Sequence, residues 1–376
     1  MAVTNWENLA KNGMNPQTIP AFVDEKIGEH NADATAHMAS EASLAAHRAS
    51  EVCDHLAESV VNDKLERKTR YYNAIVDPSD DESFDTLQGA LDYCEAHGFG
   101  QIYIVAGTHY FSTNLYIDPR ISLVGDGIDE TIILPATNGD LEIQIYNTTD
   151  SEPESKYRPT IRDLTFGSQT NKWYADQLDI DISADFINVH FAGMSDYIYW
   201  GVFSEKGSVR FESCRFTFES TSATWLCYRA NYSNCLFLAL SNTAGCLDII
   251  DSYVENCLFM GEGSVNKVDW IHSADYSSVL NNNRFYDCGE TLSLGDLTND
   301  PKQLIITNNY FEMASTSRID LNTDKVIFAN NKVKHATGNT LRIMSGCVKA
   351  RVYANETTQA ITDSGTSTQQ SMNVTT

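Results

Sequence analysis

The chain has 376 residues, a net charge of −25 and 42% hydrophobic residues, enough apolar side chain for a sizeable core. That acidity excludes nucleic acid and anionic membrane as partners, since both need a basic face, and no apolar run is long enough to span a bilayer. Residues 1–11 lack a basic-then-apolar leader, and the nine cysteines contain no Cys-x-x-Cys pair, so reduced thiols and assembly in a reducing cytoplasm are predicted, with no cofactor and no metal.

Residues 1–70 are predicted as an α-helical arm. Between 25 and 70 there is no Pro and one Gly, Gly28. Met38, Ala42, Ala45, Ala49, Val52 and Leu56 recur at alternating spacings of 4 and 3, a short heptad seam. So thin a seam predicts association of chains or docking on a larger body. His30, His37, His47 and His55 lie in the arm; imidazoles on an oligomer axis can hold a metal, but His30 and His37 fall off the seam.

An acidic turn, Asp77-Pro-Ser-Asp-Asp-Glu82, leads to a second helix at about 83–97, with Ser83 as N-cap. Phe84, Leu87, Ala90, Leu91 and Cys94 line one face and Gly98 ends it. Short strands follow at Gln101-Ile-Tyr-Ile-Val105, Leu115-Tyr-Ile117, Ile121-Ser-Leu-Val124 and Ile132-Ile-Leu134. Then one phrase, Asn-x-x-Phe or a variant, returns at intervals of 21 to 26 residues: Asp163 to Phe166, Asn188 to Phe191, Ser213 to Phe216, Asn234 to Phe237, Asn256 to Phe259, Asn282 to Phe285, Asn308 to Phe311, Asn330 to Val333 and Ala354 to Thr357. A period of this length signals stacked supersecondary units. Each unit is too short for a helix pair and rich in strand-forming residues, so one coil of a parallel β-helix is predicted, over 71–355. Alternation along a strand then makes two inward columns. One is Phe166, Phe191, Phe216, Phe237, Phe259, Phe285 and Phe311. The other runs Leu164, Val189, Cys214, Cys235 and Cys257 and changes to Asn283, Asn309 and Asn331, whose amides can bond along the column. Residues 356–376 are Thr- and Ser-rich and are predicted as a polar tail.

Two stretches resemble known families. The capping helix, then Ile-Tyr-Ile-Val-Ala-Gly-Thr-His-Tyr110 and Ile-Ser-Leu-Val-Gly-Asp-Gly127, resembles the opening coils of pectate-lyase-like, single-stranded right-handed β-helix proteins, which include phage tailspikes and polysaccharide-degrading enzymes. It implies an all-β fold whose helix plugs the first coil edge; one fold hosts many functions, so it implies little about activity. In the arm, Glu29-His-Asn-Ala-Asp-Ala-Thr-Ala-His37, with Ser43-Leu-Ala-Ala-His47 and Val52-Cys-Asp-His55, is similar to segments of bacteriophage tail fibre and tailspike proteins. That similarity implies a virion-attached, homotrimeric host-recognition protein joined to other tail proteins through the arm.

The second strand of each coil offers chemistry. Its apolar-x-apolar core recurs as Leu178-Asp-Ile180, Ile198-Tyr-Trp200, Leu247-Asp-Ile249, Val268-Asp-Trp270, Leu292-Ser-Leu294, Ile319-Asp-Leu321 and Leu341-Arg-Ile343, and the middle residues form an outward column. Asp248 and Asp269 on adjacent coils would lie about 5 Å apart, the spacing of a retaining glycosidase pair and equally of a calcium site. Asp251 and His272 stand near them as further catalytic candidates. Among 51 acidic residues, outward Asp is also expected on any solvated face. For glycan contact, Trp173, Tyr174, Tyr199 and Tyr228 are the candidates, since such rings stack on sugars and keep a polar handle. The sequence thus predicts a phage tail protein binding host surface glycan, with cleavage by a glycosidase or lyase left open. The competing reading is a non-catalytic structural virion component; a free polysaccharide lyase is disfavoured by the arm and by the missing leader.

Overall fold

The computed structural model describes residues 72–80, 83–98, 100–136, 143–145, 157–167, 178–180, 183–194, 208–218, 224–239, 246–261, 268–272, 277–286, 291–294, 303–312, 318–323, 325–334 and 341–375. The 1–70 arm, its seam and its four histidines lie outside them. The rest is a parallel β-helix, nearly all strand. Successive coils pair in parallel, residue on equivalent residue, along three faces.

The first face carries strands such as Ala230–Ser233, Tyr253–Glu255, Ser278–Asn281 and Leu304–Thr307. The second carries Leu236–Ala239, Leu258–Gly261, Arg284–Tyr286 and Tyr310–Glu312. The third carries Thr224–Tyr228, Cys246–Ile250, Val268–His272, Thr291–Leu294, Arg318–Leu321, Leu341–Ile343 and Ile361–Asp363.

The recurring phrase is the corner between the first and second faces. Its first residue takes a left-handed backbone at every described copy: Asp163, Asn188, Ser213, Asn234, Asn256, Asn282, Asn308, Asn330 and Ala354 have φ between 54° and 59°. Asn and Asp tolerate this region better than other non-glycine residues because their short side chains bond locally. The turn then aims the second residue inward and the fourth inward again from the second face. The Phe column forms as expected: ring centroids of Phe216, Phe237, Phe259, Phe285 and Phe311 follow one another at 4.5–4.7 Å, stacked with nearly parallel planes. A parallel aromatic column stands on the first face, where Phe186, Phe211 and Tyr232 stack at 5.2 and 4.9 Å. Trp225 enters from the third face and donates its indole N–H to Tyr232 Oη at 2.8 Å. Each fully buried ring contributes about 1.5–3 kcal/mol.

The second inward column is a hydrogen-bonded ladder. Asn309 Nδ2 donates to Leu280 O and to Asn331 Oδ1, each at 3.1 Å, while its Oδ1 accepts the Asn283 backbone N–H at 2.8 Å and Asn283 Nδ2 at 3.0 Å. Asn283, Asn331 and Asn355 repeat the pattern, so each of these ladder amides is satisfied, as burial requires. The cysteines above use a thiol for the same purpose. Cys214 Sγ donates to Phe186 O and Cys235 Sγ to Phe211 O, both at 3.4 Å, the coil-equivalent carbonyls of Leu280. Cys94, Cys214, Cys235, Cys257 and Cys347 are buried and free.

Two boundaries differ from expectation. Thr86, not Ser83, caps the helix, which runs Leu87–Ala96 and buries Leu87, Ala90, Leu91 and Cys94. Phe84 is held in a bridge to Val76, with Phe84 N donating to Ile75 O at 2.9 Å, so the helix cannot start earlier. Ser83 instead donates to Asp80. The segment after Asn355 also continues the stack: Arg351–Tyr353 pairs with Gln369–Ser371 and Glu356–Thr357 with Val374–Thr375. Met372 takes the left-handed corner and Asn373 accepts from Asn355 Nδ2 at 3.0 Å. The first coils are tight where the glycine turn passes. A Cβ on Gly125 would stand 2.2 Å from Asp163 O, which explains glycine there.

Neighbouring asparagines therefore obey opposite rules. Asn309→Ala strands two donors of Asn283 and is expected to cost about 3 kcal/mol. Asn308→Gly, at an exposed left-handed corner, costs a few tenths at most. Denaturant midpoints of the two variants test this; equal effects would contradict the ladder.

Candidate functional site

The third face holds the predicted catalytic row, and its register rearranges it. Leu247 pairs with Ile271 and Asp248 with His272. The apolar-x-apolar spacing had placed Asp269 opposite Asp248, but Val268 pairs with Leu292 and Ile271 with Leu294. Asp269 and Trp270 together therefore oppose the single residue Ser293, a β-bulge. That extra residue moves Asp269 out of the row and brings His272 in. Asp248 and His272 thus occupy neighbouring coils, about 4.8 Å apart along the stack. A carboxylate and an imidazole in one row are the residue types of general acid–base chemistry.

Asp251 lies at the corner leaving this face. It is exposed, has a left-handed backbone at φ 51°, and meets Arg229, the same corner of the preceding coil, at 3.4 Å. Tyr228 is the strand residue before that corner and pairs with Ile250. Trp173, Tyr174 and Tyr199 lie outside the described residues.

A second row, two positions earlier along the strand, carries different chemistry. Ser293, Asp320, Arg342 and Thr362 are register partners. Asp320 is 7% exposed, takes both nitrogens of Arg342 at 2.7 and 2.6 Å and also receives Arg318 Nε at 3.3 Å. The carboxylate raises the Arg342 pKa. This acid is committed to a fork-shaped ion pair and is a fastening between coils, not a reactive group.

A network invisible to the sequence sits on the second face. His190 Nδ1 meets Asp129 Oδ1 at 3.0 Å and its Nε2 meets Thr217 Oγ1 at 2.9 Å. Arg215 reaches the other Asp129 oxygen at 3.3 Å, and Thr165 Oγ1 accepts the Asp129 backbone N–H at 2.9 Å. Burial pushes the His190 pKa down, against the upward pull of Asp129 and together with the repulsion of Arg215. Partial burial acts to raise the Asp129 pKa, but the bond to His190 and the nearby positive charge bring it below the ordinary carboxylate value. The imidazole is neutral, donating from Nδ1 and accepting the Thr217 hydroxyl at Nε2. Hydroxyl, imidazole and carboxylate are linked as in an activated nucleophile. However, Thr217 is 3% and His190 8% exposed, which leaves a sugar no approach, and the network serves to satisfy a buried histidine. No sequence signal joins Asp129 to His190, 61 residues apart. Among the described residues no group of three His, Cys, Asp or Glu is placed to hold a metal.

No protein-family model and no curated protein matches the chain. Among solved structures it is similar to the tailspike protein of E. coli bacteriophage HK620 in complex with a pentasaccharide, with 15% identity and a TM-score of 0.48, covering 76% of this chain and 61% of that one. It is also similar to tailspike protein 3 of bacteriophage CBA120, with 11% identity and a TM-score of 0.45 over 77% and 57%. A third is the A-module of a mannuronan C-5 epimerase from Azotobacter vinelandii, with 11% identity and a TM-score of 0.32 over 77% and 94%. The chain spans about three fifths of the length of the two tailspikes.

The neutral His190 makes stability depend on pH. Its folded pKa lies below the unfolded value of about 6.5, so its contribution is complete above that value and is lost as pH falls through the folded pKa. Denaturant midpoints at pH 7.5 and 5 should fall further for the wild type than for His190→Gln. Equal slopes would contradict the buried neutral imidazole.

Proposed function

We propose that this chain is a bacteriophage tail-associated host-recognition protein that holds a host surface glycan along the outward rows of its coil stack. The observation that carries the reading is the register of the third face. Asp248 and His272 stand on adjoining coils beside a bulge, and the Arg229–Asp251 pair ties the corner of Asp248's coil to the coil before it. Coils about 4.8 Å apart present one outward residue per step, close to the length of one sugar along an extended glycan. Rows of carboxylate, imidazole, hydroxyl and guanidinium can then address successive hydroxyl groups. Bulges recur next to functional sites, where they re-aim a side chain.

The arm and opening coils resemble phage tail proteins in sequence, which supports placing the chain on a virion. In this reading it is a homotrimer, assembled in the host cytoplasm and attached to other tail proteins through 1–70. Tyr228, Tyr199, Tyr174 and Trp173 are the aromatic contacts. Where the glycan is also cut, Asp248 and His272 move the protons, with Asp251 or Asp269 in support.

Purified full-length protein incubated with a panel of bacterial surface polysaccharides, with retention and chain length both recorded, tests the proposal. At least one polysaccharide should be retained. Asp248→Asn and His272→Gln should each weaken retention about 10- to 100-fold, the range for a lost charged hydrogen bond, with unchanged unfolding midpoints. Shortened chains that persist intact with Asp248→Asn would add depolymerase activity. Retention of no polysaccharide, or retention untouched by both variants, would overturn the reading and leave a structural virion component.

A further inference from the structure

The second face carries a cation, Arg284, that forms no ion pair among the described residues and stands in a setting of rings. Its outward positions form two columns, and in the middle coils Leu258, Arg284, Tyr310 and Lys332 follow one another in register beside Met260, Tyr286, Glu312 and Lys334. Most charges here are paired. Lys332 meets Glu356 at 2.8 Å and Lys334 meets Glu312 at 2.7 Å. The Tyr310 hydroxyl donates to the second Glu312 oxygen at 2.9 Å, so that carboxylate is neutralised and held. Arg284 differs. It is exposed, its neighbours above and below are Leu258 and Tyr310, and among the described residues no carboxylate pairs with it. The Tyr286 and Tyr310 rings stand beside it, 5.9 Å between centroids and tilted by 55°.

In a chain of net charge −25, a guanidinium that pairs with no carboxylate among the described residues is a selective feature. Screening over about 8 Å at physiological salt lets this local charge act despite the distant acids. A guanidinium grips a carboxylate through two parallel hydrogen bonds, and tyrosine rings present apolar faces with a polar edge. A dense polyanion would meet the surrounding acidity; a glycan with an occasional carboxylate would not.

We propose that this patch is a subsite for one carboxylate-bearing sugar of a polysaccharide, its acid group held by Arg284 and its ring lying against Tyr310 and Tyr286. The proposal rests on the glycan-binding reading above but uses a different face. It makes the recognised chain an acidic one, with its neutral sugars free to lie elsewhere.

The test compares full-length protein binding to an acidic bacterial polysaccharide with binding to the same polysaccharide after its carboxylates are reduced to alcohols. Reduction should weaken binding about 10-fold or more. Arg284→Gln should cause the same loss on the acidic chain and none on the reduced chain, and Arg284→Lys should restore only part of it. Binding by Arg284→Gln that matches the wild type on both chains, or falls equally on both, would overturn the subsite. So would Arg284→Glu that changes the oligomeric mass without changing glycan binding, which would make this face a contact between copies. Retention of neutral chains alone overturns the subsite and leaves the proposed function standing; retention of neither kind overturns both.

Discussion

Everything in this molecule depends on one requirement, that each coil superimpose on the next so that buried backbone and side-chain polar groups find partners. A β-helix has no sequence-local hydrogen bonds within its strands; a coil is satisfied only by its neighbours. Two devices enforce the match. The left-handed residue at the first corner fixes where each strand turns, from Asp163 to Ala354 and again at Met372. Immediately after it, the inward asparagine locks one coil to the next through both ends of its amide. A shift by one residue would put Asn309 outside and Asn308 in the core. The penalty of stranding buried amides makes that register unique.

A fixed interior turns the exterior into an array. Side chains on the three faces line up in rows whose spacing is set by the backbone, so substitutions outside change chemistry without changing position. The third face holds an interlocked acid at Asp320 in one row and, toward the first coils, the Asp248–His272 register pair in the row two positions further along the strand. The second face likewise runs from the buried His190 network to the tyrosines around Arg284. The number of residues between successive described strands varies, which accounts for the 21- to 26-residue period, while the stacked positions keep step. A long ligand laid along such an array meets several weak contacts at once, the arrangement suited to a polymer with repeating units.

The interior was legible in the sequence because it repeats. Phe216, Phe237 and Phe259 announce a column by recurring in phase, and Asn283, Asn309 and Asn331 announce a ladder in the same way. The corner role of the first asparagine was not read from the motif, although its residue type carries the reason, since Asn accepts a left-handed backbone. Three features escaped for physical causes. Thr86 displaced Ser83 because Phe84 is engaged in a bridge that no local pattern reveals. The residues after Asn355 looked like a tail because Thr357 and Thr375 replace phenylalanine in the inward column; the backbone pairing outlasts the apolar signal. The Val268–His272 bulge shifted Asp269 because one extra residue, silent in a motif, reassigns every position beyond it. The partnering of Asp129 with His190, and the placing of Arg284 between Leu258 and Tyr310 on adjoining coils, depend on which coils adjoin and have no one-dimensional trace.

Coil register, bulge included, decides which residues share a row on the third face. Cysteine cross-linking measures it directly. Asp248→Cys with His272→Cys should form a disulfide under mild oxidation, identified by mass spectrometry of the joined peptides, because neighbours on adjacent coils are within bridging distance. Asp248→Cys with Asp269→Cys should not. Cross-linking of the second pair in preference to the first would place the acids side by side and contradict the register from which the proposed site is built.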